Sequence, residues 1–160
     1  MDDKLKKGVL KLLTYGLYVL TSIDGDEIAA GTVSWFSQAS FNPPLVSAAI
    51  KVDSRLHSIV DHSRIFAVNI LRDDQKEIAS AFFRSTQLSD GLINGYAFEP
   101  GSMTKAPLLI DLPAWLEARV LDSVTQGDHT LYVAEVINVG MREPQPKPLV
   151  LWDTGWSYGG

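Results

Sequence analysis

A small antiparallel β-barrel of six or seven strands, carrying only short helices, is the fold class that the sequence predicts. Two observations carry that prediction. Runs of β-branched and apolar residues of strand length recur along the chain between turn residues, while helical periodicity is confined to short stretches. The chain also lacks the strand–helix–strand rhythm and the G-x-G-x-x-G of a doubly wound dinucleotide fold. Closure into a barrel would remove the exposed edges that such a sheet otherwise presents.

The first element reads as a helix. Leu5, Val9, Leu12 and Leu13 recur at helical spacing, and Gly16 stands where a C-terminal stop belongs. Leu17 to Ile23 is a strand running into Asp24-Gly25-Asp26, a tight-turn signal, and Ile28 to Ser40 is its returning partner. Asn42-Pro43-Pro44 ends that strand because proline cannot donate to a ladder. Leu45 to Val52 is the third strand. Ser54 is an N-cap for a short helix to His62, with Leu56, Ile59 and Val60 on its apolar face. Ile65 to Leu71 is a strand, and Asp74 with Glu77 has capping-box spacing for a helix to about Arg84. Gln87 to Ala106, glycine-rich and weakly periodic, reads as loop. Trp115 to Val124 and Thr130 to Val139 are two long strands, Arg142 to Pro148 is linker-like with three prolines, and Leu149 to Trp152 is a last short strand.

Composition narrows the function. A chain of 160 residues with 46% hydrophobic content builds one domain over residues 1–160. With 14 Lys and Arg against 19 Asp and Glu, the net charge of −5 opposes nucleic-acid binding through a broad basic face. Zero cysteines removes disulfides, thiolate-bound zinc, iron–sulfur clusters and thiol catalysis, so redox chemistry requires an organic cofactor. The longest apolar runs fall far short of a membrane span, and the charged N-terminus does not read as a signal peptide. The expectation is a soluble cytoplasmic protein.

Three histidines are available. His57 and His62 lie about 140° apart on a helix, which disfavours a shared metal, and no metal site is expected. His129 follows Gly127-Asp128 where barrel loops gather, and fits either an ordinary turn or a functional position. No G-x-S-x-G elbow supports a serine nucleophile. Gly31 to Ser40 mixes small hydroxyl residues with aromatics in place of clean alternation; Gly31 permits close backbone approach by something planar or by another chain, and a plain barrel strand whose hydroxyls cap local turns fits equally. Ser54, Arg55 and Ser58 combine a cap, free helix N–H groups and a guanidinium, which is either an anion site or plain capping.

Taken together, Thr32-Val33-Ser34-Trp35-Phe36, Ser40-Phe41-Asn42-Pro43-Pro44-Leu45-Val46, Phe66 to Leu71 and Gly127-Asp128-His129-Thr130 resemble the flavin reductase-like family in order and spacing, from about Leu13 to Tyr158. The resemblance implies a six-stranded antiparallel split β-barrel of Greek-key type with a few short peripheral α-helices, and a homodimer holding FMN, or FAD, near the subunit interface. It places Thr32, Val33, Ser34 and Trp35 along the isoalloxazine, with Ser40 closing that strand's polar face. It gives the phosphate to Ser54, Arg55 and Ser58, with Phe82 and Arg84 on the phosphate side. It sets His129 on the nicotinamide side and lets Tyr158 cover that pocket.

The activity implied is NAD(P)H:flavin oxidoreduction, hydride passing from nicotinamide C4 to flavin N5, with reduced flavin or electrons supplied to a partner such as a monooxygenase. Trp35 and Gln38 stand where many diffusible-flavin reductases carry smaller residues. The tryptophan resembles the flavoredoxin-like branch, in which FMN stays bound and a protein partner reduces it; a non-enzymatic FMN-binding module is the third alternative.

Overall fold

The structure, a computed structural model, describes residues 1–160 throughout. Helix α1 (Asp3–Leu10) is capped by Asp2, whose carboxylate accepts the Leu5 amide at 2.7 Å. It is shorter than its periodicity suggests and buries none of its residues; Leu5, Val9, Leu12 and Leu13 all lie exposed. Gly16, expected as its stop, instead bridges to Val150.

Strands β1 (Tyr18–Asp24) and β2 (Glu27–Val33) form a hairpin in register Asp24↔Glu27, with Gly25 at φ 58° in the turn. The returning strand expected over 28–40 does not continue. It breaks at Ser34-Trp35, and β3 (Phe36–Ser40) pairs with β4 (Leu45–Lys51) on the opposite side of the sheet. Between them the Asn42–Pro43 peptide is cis. Helix α2 (Arg55–Ser63), strand β5 (Ile65–Ile70) and helix α3 (Lys76–Ala81) follow. The stretch read as loop contains β6 (Leu88–Ser89), β7 (Leu92–Ile93) and β8 (Tyr96–Pro100), which join β9 (Pro107–Leu109) in a small meander. Strands β10 (Ala114–Thr125) and β11 (His129–Met141) make the long hairpin; of the expected last strand, Val150 keeps a single antiparallel bridge and the chain turns into α4 (Leu151–Thr154) from Leu151.

The fold is mainly β with few helices, but the strand count differs from the six expected. The main sheet has seven strands in the order β2-β1-β5-β10-β11-β4-β3, and the second has four in the order β6-β7-β8-β9. The main ladder is not closed, since the terminal strands β2 and β3 do not pair. It nonetheless curls, because Ala29 of β2 and Val46, Ala48 and Ile50 of β4 share one buried cluster. Leu56, Ile59 and Val60 of α2 plug its interior, each contributing about 1.5–3 kcal/mol if fully buried.

Two further expectations give way to side-chain chemistry. Asp74 does not cap α3; it binds the Arg72 guanidinium at 2.7 Å, and Gln75 occupies the cap position. The proline stretch after Arg142 is no free linker, because Arg142 Nη1 donates to the Leu109 and Leu112 carbonyls at 3.1 and 3.2 Å. The fully buried Glu117 of β10 is the notable polar core residue, and no helix is long and apolar enough to cross a membrane.

Candidate functional site

A cleft of about 820 Å³ opens where β2 ends, β4 turns into α2, and the C-terminal tail crosses. One wall is Gly31 to Trp35. β2 is an edge strand, and the segment after α3 satisfies its outward groups. The Thr32 amide donates to the Phe82 carbonyl at 3.2 Å, and the Ala30 amide to Thr86 Oγ1 at 2.9 Å. The Thr32 hydroxyl is spent on the Ala79 carbonyl at 2.7 Å, so it fastens α3 and is not free for a ligand. Next to it the pattern reverses. Ser34 Oγ and Trp35 Nε1 are buried and have no hydrogen-bond partner, which is a cost unless something in the cleft supplies one.

The opposite end is the N-terminus of α2, a candidate anion cup. Ser54 Oγ accepts the His57 amide at 3.1 Å and donates to the Lys51 carbonyl at 2.8 Å, which starts α2 and leaves the Arg55 and Leu56 amides without an intrahelical partner. Arg55 adds a guanidinium whose partner, Glu27 at 3.4 Å, is as exposed as Arg55 itself, so the pair holds it weakly. Behind the cup, His57 Nε2 meets Thr130 Oγ1 at 2.7 Å and pins α2 to β11.

At the third corner, His129 Nδ1 meets Asp128 Oδ1 and its Nε2 meets Tyr158 Oη, both at 2.7 Å. With Nδ1–H donating to the carboxylate, this network assigns Nε2 as acceptor of the phenol proton. The hydrogen bond from His129 holds the Asp128 carboxyl below its ordinary range, while burial pushes the Tyr158 phenol up. Trp35 packs against both rings, 4.6 Å from His129 and 5.2 Å from Tyr158. Lys51 is the register partner of His129 across β4 and β11, and its ammonium is raised by a hydrogen bond to Asp53 at 3.1 Å.

The structure therefore brings Thr32, Val33, Ser34, Trp35, Ser54, Arg55, Phe82, Arg84, His129 and Tyr158 to one cleft. Phe82 is 2% exposed and contributes mainly its backbone and the cleft floor. Two expected residues fall outside the lining. Ser40 is carried off by β3 to the far edge, because the strand breaks before it, and Ser58 lies exposed one turn along α2. Lys51, Asp53, Phe83, Ser85, Thr86, Trp156 and Ser157 line the cleft without having been singled out. Lys51 and Asp53 carried a signal, since they immediately precede the Ser54 cap. Trp156 carried none; it reaches the cleft through Phe83 at 4.9 Å and Lys76 Nζ at 4.6 Å from its ring.

Over residues 10–159 the sequence matches the family described as flavin reductase like domain. It is 30% identical over 154 residues to the NADH-dependent flavin reductase StyB of Pseudomonas fluorescens, covering 95% of this chain and 87% of that one. It is 31% identical over 154 residues to a flavin reductase (NADH) of Kitasatospora aureofaciens, covering 95% and 79%. Among solved structures, the styrene monooxygenase flavin reductase of Pseudomonas putida S12 superposes with a TM-score of 0.75 at 28% identity, covering 91% of this chain and 90% of that one.

Proposed function

This chain belongs to the flavin reductase-like family, and from that premise we propose that it is an NAD(P)H-dependent flavin oxidoreductase holding FMN in the cleft between Trp35 and Arg55. The observation that carries the reading is the pair of orphaned donors, Ser34 Oγ and Trp35 Nε1, on the same cleft as the α2 anion cup. A flat heteroaromatic ring bearing a phosphate on a short chain fits both ends. When bound, flavin supplies the redox chemistry, accepting at N5 the hydride of nicotinamide C4.

The protein's part is binding and alignment. Gly31 to Trp35 offers an extended backbone and unspent polar groups to a ring edge, and preorganised N–H donors there favour developing negative charge. The α2 N-terminus, Ser54 and Arg55 hold the phosphate, with Arg84 on the rim. His129, fixed in tautomer by Asp128, orients the nicotinamide, which needs no general base for a direct hydride transfer. The same reading makes residues 1–160 one domain of a cytoplasmic homodimer that supplies reduced flavin to a partner such as a monooxygenase. The styrene monooxygenase in the name of one similar structure supports the partner, and the exposed apolar residues of α1 support the homodimer. The cover of Trp35 and Tyr158 over His129 favours a second reading, in which FMN stays bound and a redox protein reduces it.

An anaerobic absorbance titration separates the two. Rapid bleaching of the oxidised flavin band by NADH or NADPH is expected; FMN that binds and stays yellow establishes the protein donor, and absence of any flavin binding overturns both. Two substitutions follow. Ser34→Ala leaves the flavin-free protein as stable as wild type or more stable, because it removes a buried hydroxyl that makes no bond there, and weakens FMN about fivefold to tenfold by calorimetry. His129→Ala raises KM for the nicotinamide nucleotide about tenfold with FMN affinity nearly intact; a comparable loss of FMN affinity would place His129 on the flavin instead.

A further inference from the structure

We propose that Tyr158 is a gate that decides access of the hydride donor: its ring and phenol occupy the His129 corner of the cleft at rest and must leave before a nicotinamide can enter. The inference rests on the assignment of His129 to the nicotinamide side.

The first observation is that His129 has nothing left to offer. Both ring nitrogens are engaged at 2.7 Å, one by Asp128 and the other by Tyr158, and the side chain is 11% exposed. A ligand that hydrogen-bonds to Nε2 has to take the place of the phenol. The second is shape. The Tyr158 ring lies edge-on to Trp35 at 5.2 Å and to His129 at 5.9 Å, so a planar aromatic already stands in the corner that a pyridine ring would need.

The third observation is that the tail is held lightly. Residues 157–160 make no backbone hydrogen bond; the last anchors before them are the Trp156 amide on Thr154 Oγ1 at 3.0 Å and the Trp156 ring against Phe83. Only Ser157 stands between the Trp156 anchor and Tyr158, and its backbone is free of hydrogen bonds, so the phenol can swing out without breaking the ladder. The fourth is space. A second, mostly apolar cavity of about 260 Å³ lies behind the tail, lined by Leu12, Leu13, Tyr15 and Trp152, and Trp156, Ser157 and Tyr158 line both cavities. The tail is a partition with room on either side.

A closed gate taxes affinity by the fraction of molecules in which the corner is open. Closed about ten times as often as open, it weakens nicotinamide binding about tenfold. The expected result is therefore counter to the usual one for a residue lining a binding site, since its removal tightens binding.

The test is calorimetric titration of NAD⁺, which cannot reduce the flavin, into FMN-loaded wild type, Tyr158→Ala, Tyr158→Phe and the double variant Tyr158→Ala with His129→Ala. Tyr158→Ala is expected to bind NAD⁺ about tenfold more tightly and Tyr158→Phe to fall between it and wild type, having lost the phenol but kept the ring. Because His129→Ala also frees the phenol, it is made in the Tyr158→Ala background, where it is expected to bind NAD⁺ more weakly than Tyr158→Ala alone. Weaker binding by Tyr158→Ala would overturn the gate and make Tyr158 a ligand contact. Unchanged binding by Tyr158→Ala alongside weaker binding by the double variant would overturn the gate and leave the nicotinamide assignment standing. Unchanged binding by Tyr158→Ala and the double variant alike would overturn the assignment and the gate together.

Discussion

Glu117→Ala is expected to lose about 3 kcal/mol or more of stability, a large share of what a domain of this size has. Glu117 is fully buried in β10 and sits at the centre of a cage of donors. Its Oε1 accepts the Met103 amide at 3.1 Å and the Thr104 amide and hydroxyl, both at 2.7 Å, while Oε2 accepts Asn138 Nδ2 at 2.8 Å. Alanine leaves those donors buried without a partner and opens a cavity. It also releases the turn at Gly101, where the carboxylate fills the space a Cβ would need.

The same cage fixes a pH dependence. Burial pushes the Glu117 carboxyl up, but the hydrogen bonds from Thr104, Asn138 and Met103 together outweigh it and bring it below the ordinary range. A carboxyl lower in the folded than in the unfolded chain adds stability that is complete above the unfolded value of about 4.3 and is lost as pH falls through the folded one. Chemical denaturation of wild type and Glu117→Gln from neutral pH into the acid range checks this. The wild type should lose the difference between the two proteins as the carboxyl protonates; a gap that stays constant with pH would refute the assignment.

Arg55→Ala is expected to weaken FMN by about tenfold to hundredfold, the equivalent of one charge-assisted contact of roughly 1.5–3 kcal/mol. Riboflavin, which lacks the phosphate, should bind the variant and the wild type alike. Folding stability should hardly change, since the exposed Glu27 pair contributes about 1 kcal/mol at most. Glu27→Gln frees the guanidinium and should tighten FMN slightly. Calorimetry with both flavins decides the matter: an equal loss for riboflavin would move Arg55 away from the phosphate.

Much of the site was readable before the fold. Ser54 announced itself as a cap because a hydroxyl before an amphipathic run has one common use, and the capping bond to His57 is present. Gly31 to Trp35 stood out because hydroxyl and aromatic residues there violate the alternation of a half-buried strand, and the unpartnered Ser34 Oγ and Trp35 Nε1 lie within it. The misplacement of Ser40 comes from the same stretch. Nothing local distinguishes one long strand from two short ones, since both satisfy the same β-propensity; the break at Ser34-Trp35 is imposed by β4 claiming the second half as its partner.

Local chemistry, then, is what the residues determined by themselves: where most of the main-sheet strands run, that Ser54 starts a helix, and that redox work needs an organic cofactor. Partnership across space is what the tertiary structure alone decided. The meander of β6 to β9 is built of strands as short as two residues, which have no stable pattern until neighbours pair them. Leu149 to Trp152 reads as a strand, and only its first half bears this out, Val150 bridging Gly16; packing of Leu151 into the core beside the N-terminal segment accompanies the turn into α4. The joining of His129 to Tyr158 spans 29 positions of sequence. No periodicity encodes such a contact, because its energy comes from the meeting of two side chains that only the curled sheet and the returning tail bring within reach.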